Sequence, residues 1–262
     1  LVNNASTSNT AIGNYAMDDA MDACTDNVAV GFATLSGLTT GDENVAIGMQ
    51  SGNDVTTGSS NTVVGAFAGD ALTTSSSNIA IGKHSLGAAT TSADYNIAIG
   101  ESAMSGAWST ADVNNCVSIG YNSMVGVLTA TASGTVAIGQ GSLNALTSGI
   151  GNIGIGFQSL NIQTDGTYNI AIGYQAMNAM DSGEDHNIGI GYDVMGSMNN
   201  AASVTNVAIG SYALNDTGTA AVHSNVAIGY GSMGAANHAD ASGTTAVGYL
   251  SCSALTSGPG NT

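Results

Sequence analysis

Small and β-branched residues alternate in a short pattern that returns along the whole chain. Its clearest copy is Asn169-Ile170-Ala171-Ile172-Gly173-Tyr174-Gln175-Ala176-Met177. The glycine recurs fourteen times, at Gly13, Gly31, Gly48, Gly65, Gly82, Gly100, Gly120, Gly139, Gly156, Gly173, Gly191, Gly210, Gly229 and Gly248, with gaps of 17 to 20 residues. A period of this length, held from end to end, predicts a solenoid of stacked units. The residue before each glycine is Ile or Val, and the residue three before it is Val, Ile or Thr. Stiff β-branched side chains two apart share one face of a strand, where they pack well. Four residues past the glycine most copies carry Leu or Met, the exceptions being Gly52, Gly69 and Cys252. Each repeat therefore predicts a short strand, a glycine bend and a second short strand. The expected fold is all-β, a parallel β-solenoid of about fourteen 17–20-residue repeats. One unit buries little alone, so stacking must build the core. Its expected rungs are Ile81, Ile99, Ile119, Ile138, Ile172, Ile209 and Ile228.

The residue between the two β-branched positions points to the opposite face of the strand. It is small throughout, as at Ala29, Ala46, Ala80, Ala98, Ala137, Ala171, Ala208 and Ala227. Alanine is a poor strand former, so its repeated use asks for a reason. Either it is tolerated on an exposed face, or something packs closely on it. The favoured expectation is a second chain along this face, making the protein one protomer of a coaxial homo-oligomer.

Asn opens the motif in eleven of the fourteen copies. Stacked amides can bond along the axis as in cross-β Asn ladders, or each Asn can serve its own turn. Just past the glycine stand Phe32, Tyr121, Phe157, Tyr174, Tyr192, Tyr230 and Tyr249. Tyr121, Tyr174, Tyr192, Tyr230 and Tyr249 could form a stripe that binds a glycan or another surface. The more ordinary reading is interchain packing with the phenols reaching water.

The chain has 262 residues, and the repeats make it one elongated solenoid. Fourteen rungs about 4.8 Å deep give a rod of roughly 65–70 Å. Its end, Leu255 to Thr262, reads like the lead-in to a further repeat, so the expectation is a segment of a longer fibre protein. Variable connectors rich in Ser, Thr, Gly and Ala map to loops; Met17 to Cys24 is the best candidate for a helical turn, and Trp108 and Pro259 fall in connectors. With one Lys, no Arg and a formal net charge of −17, nucleic-acid and anionic-membrane partners are excluded. No apolar run is long enough to span a membrane. Cys24, Cys116 and Cys252 lie many rungs apart, beyond disulfide reach; Cys116 and Cys252 replace rung residues and read as buried thiols.

No catalytic, cofactor or metal site is expected. The acidic groups Asp18/Asp19/Asp22, Asp42/Glu43 and Glu184/Asp185 lack calcium-loop spacing and read as solvated loops. His84, His186, His223 and His238 have no partner at zinc-ligand spacing.

The unit Asn-Val/Ile-Ala-Ile-Gly-x-x-Ser/Ala-Leu/Met resembles the head repeats of the YadA-type trimeric autotransporter adhesins. It is also similar to the Ala-Ile-Gly repeats of bacteriophage tail fibres. The best copies are Asn78–Leu86, Asn96–Met104, Asn169–Met177, Asn206–Leu214 and Asn225–Met233. The resemblance implies a left-handed β-roll, three chains around one axis, and a surface-exposed fibre used for attachment. The repeats here are longer than the adhesin unit. The expected function is a non-enzymatic structural and adhesive segment of an extracellular, cell-surface or virion fibre. Its partners would be its own copies and a host-surface glycan or protein. The alternatives are a self-assembling filament subunit without a receptor, an ice-binding solenoid, or a glycan-degrading tailspike. The ice-binding reading needs Thr-x-Thr on every rung, and Thr129-Ala130-Thr131 is isolated.

Overall fold

The computed structural model describes residues 6–19, 21–87, 93–106, 113–129, 132–217, 220–235, 241–255 and 260. Trp108, Ala130, Thr131, His238, Pro259 and most of the 255–262 tail lie outside them. The protein is all-β and forms two compact units, Leu1–Gly134 and Thr135–Thr262. The first unit holds β1 (Thr10–Ile12), β2 (Val28–Val30), β3 (Val45–Ile47), β4 (Thr62–Val64), β5 (Ile79–Ile81), β6 (Ile97–Ile99) and β7 (Val117–Ile119). The second holds β8 (Val136–Ile138), β9 (Ile153–Ile155), β10 (Ile170–Ile172), β11 (Ile188–Ile190), β12 (Val207–Ile209), β13 (Val226–Ile228) and β14 (Thr245–Val247). Within each unit every strand pairs in parallel with the next, like residue over like, so each unit is a parallel β-solenoid. Ile170, Ala171 and Ile172 sit against Ile188, Gly189 and Ile190, for example.

The glycine that closes each strand bends the chain with φ from +126° to +149°. At Gly210, where φ is +129°, a Cβ would lie 2.7 Å from the carbonyl oxygen of Gly229 in the next rung. Backbone angle and interrung spacing both require glycine there. The expected second strand is not formed. The residues two and four past the glycine adopt left-handed conformations instead, as at Gln175 (φ +52°) and Met177 (φ +54°). Gln175 N donates to Phe157 O in the rung before, and Met177 N donates to Val194 O in the rung after. This winding points two consecutive side chains inward. Ala176 and Met177 are both fully buried, as are Ser142 and Leu143, and Ser232 and Met233. A strand would have sent them to opposite faces.

The interior is therefore the reverse of the expected one. Ala29, Ala46, Ala80, Ala98, Ala137, Ala171, Ala208 and Ala227 have 0% exposure within a single chain, so no other chain can reach them. Ile81 and Ile209 are 39% and 38% exposed, and Ile99, Ile119, Ile138, Ile172 and Ile228 are half-buried on the outer surface. The reason is the narrow bore. A Cβ on Gly189 would meet Met177 Cε at 3.0 Å and Val194 Cγ1 at 3.2 Å. The opposite wall already fills the space with Leu or Met, so the strand can add one methyl but not two β-branched side chains.

The Asn column forms the axial ladder. In each link one Asn side chain accepts from the next rung, so that Asn44 N and Nδ2 both donate to Asn27 Oδ1, at 2.9 and 3.1 Å. The Nδ2 also donates to a connector carbonyl, here Gly58 O at 2.9 Å. The column runs unbroken from Asn9 to Asn96 in the first unit and from Asn152 to Asn225 in the second. Cys116 takes an Asn place, its N donating to Asn96 Oδ1 and its thiol to Ala132 O. A second column, unforeseen from the sequence, places Asp42, Ser59, Ser76, Asp94 and Asn114 over one another. Asp42 Oδ1 accepts from Thr25 N at 2.7 Å, and Asp94 Oδ1 accepts from Ser76 N at 2.7 Å. Asp42 is thus part of the scaffold rather than of a freely solvated loop, while Glu43 stays exposed. Cys24 and Cys116 are buried free thiols, whereas Cys252 is exposed. Met17 to Cys24 has no helical turn among its described residues.

Candidate functional site

Two surface features stand out, both set by the repeat. The first is the outward face of the strands. Two rows of β-branched side chains run up each unit, one from the first residue of every strand and one from the last. Ile47, Ile79, Ile81, Ile190 and Ile209 are 36–42% exposed, and Ile12 and Val247 reach 59% and 65%. Seven strands at about 4.8 Å spacing carry these rows over roughly 30 Å per unit. Contiguous apolar surface on that scale marks an interaction face on soluble proteins.

The second feature is the aromatic row. In the second unit Phe157, Tyr174, Tyr192, Tyr212, Tyr230 and Tyr249 follow one another with ring centroids 5.0–5.8 Å apart. The expected residues Tyr174, Tyr192, Tyr230 and Tyr249 are therefore brought together, and their exposure runs from 45% to 75%. Tyr121 lies in the first unit and stacks on no aromatic ring among the described residues. The sequence reading missed Tyr212, which stands two residues past its glycine instead of one. Its ring enters the row at right angles, 69° from Tyr192 and 79° from Tyr230, while the other rings lie within 15° of parallel. The hydrogen bond with the Tyr192 side chain pushes the Tyr212 phenol above its ordinary pKa.

Beside Tyr212 the surface opens into a notch of about 520 Å³ lined by Ser197, Tyr212, Asn215, Asp216, Tyr230, Gly231, Gly234, Leu250 and Ser253. A recess in the first unit is lined by Asp18, Asp19, Ser36, Gly37, Asn53 and Asp54. Among the described residues no three His, Cys, Asp or Glu side chains are grouped to hold a metal ion, and no helix is long and apolar enough to cross a membrane.

Glu184 is the anomalous carboxylate. It occupies a connector position where other rungs present Gly41, Gly58, Ser75 or Ala93, each accepting from the Asn column through its carbonyl. Its side chain is fully buried with neither oxygen in full hydrogen-bond geometry, and the nearby backbone N–H groups of Glu184, Ser182 and Asn200 offset the loss of hydration only in part. Buried Gln163, close to Gly166 in the rung before, has no partner for either side-chain atom. Loss of hydration pushes the Glu184 carboxyl up to about 7.

Comparison of the chain with protein-family models, with curated proteins and with solved structures returns no match.

Proposed function

We propose that this chain is a non-enzymatic structural and adhesive segment of an extracellular or virion fibre. In that fibre three copies wind coaxially as left-handed rolls and meet through their outward Ile and Val rows. The observation that carries this reading is the half-exposed aliphatic surface, which a single chain leaves in water over both units. Burying such rows between copies removes apolar area from water at about 25 cal/mol per Å². The alanine column, sealed inside each chain, takes no part. The resemblance of the repeat to trimeric adhesin heads and tail fibres supports three chains, the left-handed winding and the role in attachment. With a net charge of −17, the copies repel one another at long range. Salt at physiological strength screens that repulsion beyond about 8 Å and leaves the apolar contact to decide.

Sedimentation equilibrium over a range of concentrations tests this. The reading expects a species of three times 25.6 kDa, shifted toward monomer by Ile172→Lys with Ile209→Lys. A folded monomer at all concentrations would defeat it, and mass rising without limit would replace it with the open filament.

A further inference from the structure

We infer that the notch beside Tyr212 is a subsite for a neutral pyranose ring, the ligand class that the attachment reading above leaves open. Its origin is one missing side chain. The residues two past the glycine in the last three repeats are Tyr212, Gly231 and Leu250, all with the same left-handed backbone (φ +58°, +58° and +52°). Like side chains should stack there, and Gly231 lacks one; the tip of Leu250 leans over the glycine, its Cδ2 2.6 Å from where a Cβ would stand, so the notch is walled by Leu250 on one side and Tyr212 on the other. Gly231 and Gly234 also line the notch, and the turned ring of Tyr212 and the ring of Tyr230 stand beside it. These surfaces suit the C–H face of a sugar.

The polar groups around the notch are four hydroxyls that both donate and accept, one amide and one carboxylate. Asn215 Nδ2 is held by Asp193 Oδ2 at 3.2 Å, whereas Asn215 Oδ1 is buried without a partner. That oxygen is closed off from the surface beside Gly196, so the groups a ligand meets are the Asp216 carboxylate and the hydroxyls of Ser197, Tyr212, Tyr230 and Ser253. The Asp216 carboxylate is exposed at the rim with Ser197 and Ser253. A ligand rich in hydroxyl donors satisfies this set, and an anionic sugar is opposed by Asp193 and Asp216. A cationic side chain would answer Asp216, but it would make less use of the apolar walls and the hydroxyls.

The test is saturation-transfer NMR on the whole chain with the methyl glycosides of β-glucose, β-galactose, α-mannose and β-N-acetylglucosamine. The methyl glycoside of N-acetylneuraminic acid and methylguanidinium serve as charged probes. Two variants accompany the wild type: Tyr212→Ala, and Gly231→Gln, which fills the notch with a residue that other repeats carry at this position, as at Gln158 and Gln175. The result expected is saturable millimolar binding of at least one neutral glycoside, weakened tenfold or more in both variants while circular dichroism stays unchanged. No neutral glycoside bound at 50 mM (roughly the ceiling for a single-ring site), binding of methylguanidinium alone, or binding that both variants preserve would each overturn it. The readout does not depend on oligomeric state, so failure here leaves the trimer standing, and a monomer that binds the sugar leaves the subsite standing.

Discussion

Val63 occupies the inward strand position that elsewhere holds Ala, Ser or Gly, yet it is fully buried. The compensation lies across the bore. Gly52 and Gly69 stand where most repeats carry Leu or Met, and a Cβ on Gly69 would come within 2.7 Å of Val63 Cγ1. Bulk has moved from one wall to the other with the packed volume kept, which cores tolerate best. Glu184 has no such compensation. With its carboxyl raised to about 7 against an ordinary 4.5, its contribution is fully favourable below pH 4.5, where both states are protonated. It is lost as pH rises through 7, at a cost on the order of 3 kcal/mol. Glu184→Gln is expected to stabilise the protein by up to about 3 kcal/mol at pH 8.5 and by under about 1 kcal/mol at pH 5. Urea unfolding of both proteins across that range measures the difference, and a gap independent of pH would refute the assignment.

At the scale of the strand, inside and outside are set by bore width, and this divides what was legible in the sequence from what was not. The period, the parallel strands, the glycine bends, the buried Leu and Met wall and the Asn ladder could all be read, because each depends on a residue type recurring at one place. The facing of the strand could not. β-branched pairs ordinarily mark a core, and only the fully buried opposite wall reveals that, where Leu or Met stands across the bore, the strand has room for little more than alanine. Tyr212 and the Gly231 notch escaped because they depart from the column by one residue. Two neighbouring substitutions separate the faces. Ala227→Leu overfills the bore against the buried Leu and Met wall and is expected to cost about 1–3 kcal/mol or more. Ile228→Thr, on the outer row, is expected to leave the unfolding of the single chain within about 1 kcal/mol of wild type while weakening self-association. Denaturant titration paired with sedimentation checks both; equal losses of fold stability would show that the two residues share one environment.

For the whole molecule, the polar ladders and apolar bore make a chain that holds itself together with one Lys and no Arg, so association rests on the surface it leaves uncovered. The central claim is that the Ile and Val rows are covered by other copies of the chain while the tyrosine row stays in water. Hydroxyl-radical footprinting of the unmodified protein at 0.15 M salt tests it most directly, with peptides made by pepsin because trypsin has a single site at Lys83. The account predicts that Ile79, Ile81, Ile190 and Ile209 are protected while Tyr174, Tyr192, Tyr230 and Tyr249 are oxidised, and that dilution below the dissociation constant removes the protection. Isoleucines oxidised in proportion to their 36–39% exposure at every concentration would contradict it.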